Sequence, residues 1–180
     1  MTPHIDLEFA QFTHPAEVTT ECRRELVECW VEVSNAGGAA GFPFLPVSYE
    51  EVAPVAEALS DGLDQQCSRL LVATIGGAVA GWLNVRRDPY PLVAHWGTVH
   101  HVQTRLAFRG TGVGASLMHR ARDMARADMG LEQLRLAARA GMGLEDFYGR
   151  LGWKEIGRWP GALRLATGDD RDEILMALTL

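Results

Sequence analysis

Apolar residues at Val113, Leu117, Ala121 and Met124 recur at helical spacing, while Arg120, Arg122, Asp123 and Arg126 fill the opposite side. That pattern predicts an amphipathic helix packed on one face. Cys22, Leu26, Cys29, Trp30 and Val33 form a second stripe, a helix over 21–33 with Thr19 or Thr20 as its N-cap. Ser48 and Glu51 have capping-box spacing and open a helix toward Leu63, with Pro54 kinking it or marking its true start. Leu144, Phe147, Tyr148 and Leu151 give a short helix over 144–151. Alternating or continuous apolar runs predict strands over 5–9, 70–75, 79–85, 95–106, 134–138, 153–159 and 173–180. Gly76-Gly77 closes a tight hairpin, and 161–172 reads as a polar turn.

Six or seven strands and four helices in mixed order make an α+β protein, a mixed central sheet with helices on both faces. Hairpins come first, then one strand–helix–strand crossover. A chain of 180 residues is most simply one domain, 1–180. Its 47% apolar and 22% charged residues are ordinary for a globular protein. No apolar run approaches the roughly 18 residues of a membrane span, and Met1 to Asp6 lacks the basic and apolar segments of a signal peptide. The reading is a cytoplasmic protein without a membrane partner. A net charge of −6 argues against nucleic acid and is compatible with a cationic, amine-bearing substrate. Cys22, Cys29 and Cys67 read as reduced packing residues: the first two lie about 10 Å apart along a helix, too far for a disulfide.

The segment 102–115, Val-Gln-Thr-Arg-Leu-Ala-Phe-Arg-Gly-Thr-Gly-Val-Gly-Ala, is an extended stretch that becomes a helix through a glycine-dense turn. Gly110, Gly112 and Gly114 suggest places where a side chain would be in the way. Unpaired amides at such a helix start, with the helix dipole behind them, suit a pyrophosphate, and Arg109 adds a charge-assisted contact. The plain alternative is a tight connection without a ligand. Gly110-x-Gly112-x-x-Ala115 also fits a dinucleotide fingerprint, but its approach, Thr104 to Arg109, is too polar for a buried parallel strand. Glu132 precedes the next strand instead of closing it.

Arg109-x-x-Gly112-x-Gly114, followed by Phe147-Tyr148 and Leu151-Gly152-Trp153, resembles the acyl-CoA-binding signature of the GNAT superfamily of N-acetyltransferases. The resemblance implies acetyl-CoA as co-substrate, held by Arg109, Gly110, Thr111, Gly112, Val113, Gly114, Phe147 and Tyr148. It implies two splayed parallel strands, one ending near Leu106 and one over 134–138. The main chain of Val102 and Thr104 then binds the pantetheine arm; ordinary sheet pairing is the alternative for both. Tyr148 matches the residue near the thioester sulfur, suited to protonate the thiolate, although it also belongs to an apolar stripe. The loop 35–46 looks like the acceptor loop, with Phe42, Phe44 and Leu45 against the substrate. A homodimer through the last strands is a further family implication.

Gly-Gly-Ala and Gly-Phe in that loop are similar to the tabtoxin-resistance type, which carries two active-site carboxylates on the splayed strands. Here Thr98 and Ala137 occupy those positions. His100 and His101 offer the replacement base. Strand alternation places Thr98, His100, Val102 and Thr104 on one face, barring a bulge, which favours His100. His95, His100 and His101 lack metal-ligand spacing, so no metal is expected. The resulting reading is an acetyl-CoA-dependent N-acetyltransferase acting on a primary amine of a small molecule, antibiotic or amino-acid-like, by direct transfer. A protein N-terminus or lysine is the second acceptor class, and a non-catalytic acyl-CoA-binding module the alternative outside enzymes.

Overall fold

The computed structural model describes residues 6–38 and 41–180. Ile5 of the first expected strand and Ala39-Ala40 of the acceptor loop lie outside them. Seven strands form one sheet in the order β1-β2-β3-β4-β5-β7-β6: β1 Leu7–Phe12, β2 Ser68–Ile75, β3 Ala78–Arg87, β4 Trp96–Thr104, β5 Gln133–Arg139, β6 Lys154–Ala166 and β7 Asp169–Thr179. The helices are α1 Thr20–Asn35, α2 Tyr49–Asp61, α3 Val113–Ala127 and α4 Leu144–Arg150. No helix among the described residues is long and apolar enough to cross a membrane.

The sheet is buried on both sides. Leu70, Val72, Val79 and Trp82 pack against Leu26, Cys29, Trp30 and Val33 of α1 and Val52 and Ala56 of α2. Leu71, Ala73, Leu83, Val99, Leu134 and Leu136 pack against Val113, Leu117, Ala121 and Met124 of α3. Successive residues from Leu70 to Ala73 of β2 therefore meet one core or the other, and that stretch is continuously apolar. Thr19 caps α1, its hydroxyl accepting from the Cys22 amide at 3.2 Å. The capping box of α2 is formed, and Pro54 sits inside the helix.

Two expectations change. The polar turn over 161–172 is instead a long β6–β7 hairpin turning at Thr167-Gly168. Its β6 side is solvent-exposed along most of its length, so only Leu163 and Leu165, half-buried on either side of Arg164, mark it by alternation. Of the cysteines, only Cys29 is buried; Cys22 and Cys67 are half-buried, and all three are free.

What positions the site is the way β4 runs. It pairs with β5 in parallel at only three positions, Trp96–Gln133, Gly97–Leu134 and Thr98–Arg135. On its other side the β3 register moves from Asn84–His100 to Trp82–Gln103, so Leu83 faces two residues, His101 and Val102. This is a β-bulge, with His101 in the left-handed region at φ 56°. Gly81 belongs to the same device: a Cβ there would lie 2.4 Å from the Gln103 carbonyl oxygen, so only glycine lets the bulged strand approach. Beyond Thr98 the edges of β4 and β5 face a gap.

Candidate active site

A cleft of about 1040 Å³ passes through the sheet at this gap. On the α3 side its walls are Val102, Thr104, residues 108–110 and 112–115, Phe147 and Tyr148. On the α1 side they are Thr98, His100, His101, Ala137, Arg139, Gly38, Gly41 and Phe42. One opening thus joins the two faces.

The start of α3 forms one end. Gly110 and Gly112 have φ of 75° and 93°, and a Cβ at either would meet nothing within 4 Å. Their glycines are required by the left-handed backbone and not, as the sequence suggested, by a crowding neighbour. Gly114 alone is confined, 3.3 Å from Thr104 Oγ1 and 3.5 Å from Phe147 Cζ at the Cβ position. Gly112 caps the helix with no side-chain bond. Among the described residues, no protein acceptor meets the amides of Gly110, Gly112, Val113, Gly114 and Ala115, whereas the Thr111 amide reaches the Phe108 carbonyl at 3.4 Å and the Ser116 amide the Gly112 carbonyl at 2.9 Å. Five open amides at the start of a 15-residue helix suit anionic oxygens, which fits a pyrophosphate. Arg109 lines the cleft beside it with no ion-pair partner among the described residues. The turn is pinned by α1: the Leu106 amide donates to Glu32 Oε1 at 2.7 Å, and Arg105 lies 3.6 Å from Glu28. Thr111 turns away, its hydroxyl donating to the Phe108 carbonyl at 2.6 Å, and is not part of the lining.

Tyr148 sits where α4 meets the gap. Its ring packs on Phe147 and Trp153 with centroids 5.1 and 6.1 Å away, and the residue is only 7% exposed. Among the described residues its hydroxyl bonds no protein group. Burial pushes the phenol up to about 12, so it stays protonated at every working pH.

The bulge revises the expected face. Thr98 and His100 point toward α1, and so does His101, whose ring lies 4.6 Å from Trp30 and 5.9 Å from His100. Val102 packs with the α3-side core and Thr104 faces Gly114. The four residues assigned to one face therefore divide in pairs, with the histidines on the side opposite the cradle. Burial, followed by the nearby Arg86 guanidinium, holds His100 below the usual imidazole value. His101 is pushed down to about 4 by burial first, then by His100 and Arg86. Both are neutral near pH 7, with a lone pair available.

The acceptor loop enters in part. Phe42 lines the cleft and meets Trp30 edge-on at 5.2 Å. Leu45 lines an adjoining cavity of about 420 Å³ with Phe42, Arg139, Met142 and Arg171. Phe44 lines neither; it is 61% exposed, and its amide donates to the Leu165 carbonyl at 2.8 Å. That bond ties the loop to the β6–β7 hairpin, whose Leu165 lines the cleft. The sequence reading missed Arg139 and Glu173, which stand opposite each other in the β5–β7 register and both line the cleft. Arg139 had a signal: it is two residues beyond Ala137 and shares its face. Glu173 had none. No group of His, Cys, Asp and Glu among the described residues is arranged to hold a metal.

Comparisons with known proteins agree with this geometry. The structure is similar to that of a candidate acetyltransferase from Salmonella typhimurium with its cofactor acetyl-CoA (18% identity, TM-score 0.72, 98% of this chain and 94% of the other). A candidate phosphinothricin N-acetyltransferase matches at 20% identity and TM-score 0.72, over 97% and 99% of the two chains. The ribosomal-protein-S18-alanine N-acetyltransferase from Escherichia coli matches at 17% and 0.69, over 96% and 93%. No curated protein matches the sequence at a significant level. A family model for the acetyltransferase (GNAT) domain matches residues 29–159, and with most of the chain covered, this protein belongs to the GNAT acetyltransferase family.

Proposed function

We propose that the chain moves an acetyl group from acetyl-CoA to a primary amine of a small molecule by direct transfer in a ternary complex. The observation that carries this reading is the through-sheet gap, which lets a thioester held on the α3 side meet an amine held on the α1 side. Acetyl-CoA supplies the activated acyl group. The amides at the start of α3 and Arg109 hold the anionic end of that co-substrate. The free edge of β4 at Val102 and Thr104 offers main-chain groups to its amides. Tyr148 donates a proton to the departing sulfur. Thr98, Phe42 and Leu45 bound the acceptor.

The proton on the attacking amine goes to His100, in place of the carboxylates of the tabtoxin-resistance type that the sequence resembles; His101 stands beside it. Because its imidazole is held below the ordinary value near 6.5, the neutral form persists into acid, and the rising limb of the pH–rate profile should lie below that value. His100→Ala should remove this limb and lower kcat by about a hundredfold. An unchanged profile would pass the role to Glu173, the carboxylate on the wall.

Two acceptor classes stand in the names of the similar structures, a ribosomal protein and phosphinothricin. The Phe44–Leu165 bond, which ties the acceptor loop to the hairpin beside the cleft, supports the small molecule, since a polypeptide needs an open groove. Thiol release from acetyl-CoA, measured with a panel of small amines and of peptides, tests the reading. Release with small amines alone is the expected result. Release with peptides alone would assign the protein acceptor, and binding of acetyl-CoA without release in any arm would identify a non-catalytic acyl-CoA-binding module.

A further inference from the structure

We propose that the acceptor carries an acidic group besides its amine, and that Arg139 binds it. The proposal rests on the acetyltransferase reading above and names the substrate class for that site. Arg139 ends β5 on the α1 face and lines both the main cleft and the adjoining cavity. Among the described residues its guanidinium makes no hydrogen bond and no ion pair. Its surroundings do not favour a bare cation: burial and Arg171 both act against its charge, and Asp169 opposes them only partly. Asp169 is already engaged by Arg171, Nε to Oδ1 at 2.5 Å. Glu173 is the cross-strand neighbour of Arg139, yet no ion pair joins them. A half-buried guanidinium with five donors and no acceptor is a site for a planar or tetrahedral anion.

The rest of the cleft agrees. Thr98 pairs with Arg135 at the head of the gap, and along the same face of β5 Arg139 lies one pleat, about 7 Å, beyond Ala137. The reacting amine belongs at the neutral histidines, where no positive side chain is needed. The anion belongs at Arg139, and Phe42, Met142 and Leu165 offer apolar surface between and beyond. This arrangement selects an amino acid or an amino phosphinate over a polycationic amine. Ala137 leaves room on the wall between the two ends.

The test compares thiol release from acetyl-CoA with free L-amino acids, each against its carboxamide, and with phosphinothricin. At least one acid should exceed its carboxamide by about tenfold or more in kcat/KM, the effect of one charge-assisted pair. Arg139→Gln should erase that advantage through KM, costing the acid about tenfold more than the carboxamide, while Arg139→Lys should keep part of it. The pattern of acids accepted separates carboxylate from phosphinate recognition. Equal use of acid and carboxamide in every pair, or an equal loss on both in Arg139→Gln as for a mere partner of Glu173, would overturn the proposal. Turnover of spermidine or tyramine with none of the acids would also overturn it while leaving the transferase intact. Failure of the transferase reading is read separately, as acetyl-CoA that binds but releases no thiol with any amine.

Discussion

Tyr148→Phe is expected to lower kcat by about a hundredfold or more, the usual scale of a lost general acid, while acetyl-CoA affinity stays within about twofold. The substitution removes one atom and little packing. The ring remains between Phe147 and Trp153, so the short helix α4 keeps its anchor. Among the described residues the hydroxyl has no protein partner, and its loss orphans no buried group there. Thermal stability should therefore hold, and the deficit belongs to chemistry. The raised phenol pKa adds a second expectation. Because burial favours the protonated form, the acid remains armed through the alkaline range, and the wild-type rate should not fall on its account below the ordinary tyrosine value near 10. Steady-state thiol release with saturating acceptor, alongside calorimetry of acetyl-CoA, separates the two effects. An unchanged kcat would remove Tyr148 from the mechanism and leave it as a packing residue of the stripe Leu144, Phe147, Tyr148, Leu151.

Much of this architecture was legible because its causes are local. The Ser48–Glu51 box, the Gly76-Gly77 turn and the one-sided stripe of α3 are set by residues within a few positions of each other, and each forms as read. The glycine turn and its crossover placed the cradle for the same reason. The errors arose where distant segments decide. The bulge at His101 depends on Gly81 admitting the Gln103 carbonyl from the neighbouring strand, 22 residues away in sequence, and neither position marks it alone. Plain alternation then put Val102 and Thr104 beside His100, when they belong to the opposite face. The outer part of the β6–β7 hairpin, read as a polar turn, escaped because its β6 strand there is mostly solvent-facing, with only Leu163 and Leu165 half-buried on either side of Arg164. Its closure onto Phe44 could not be seen either, since that bond is between backbone groups. Arg139 was within reach: the reading that examined Ala137 for a missing carboxylate needed only to continue two residues along the same face.

Gly112→Asp should separate binding from folding at the other end of the cleft. The φ of 93° at this position is the left-handed region, which aspartate tolerates better than most side chains. A Cβ there meets nothing within 4 Å, so the variant should fold with a melting temperature within a few degrees of the parent. The new carboxylate would stand at the N-cap of α3, before amides that have no acceptor among the described residues. It would satisfy those donors from within the chain and oppose an incoming pyrophosphate by like charge. Hydrogen bonds to charged groups contribute about 1.5–3 kcal/mol each, so contesting even one or two should weaken acetyl-CoA by about a hundredfold or more. The affinity of an acceptor on the α1 side should change little, because the sheet stands between. Gly112→Asn supplies the control, with the same shape and no charge: it should lose less affinity than the aspartate, and the gap between them should narrow as salt is raised. If the aspartate bound acetyl-CoA as tightly as the parent, the cradle at α3 would not be where the co-substrate is held. The gap between β4 and β5 would then need another means of bringing a thioester to Tyr148.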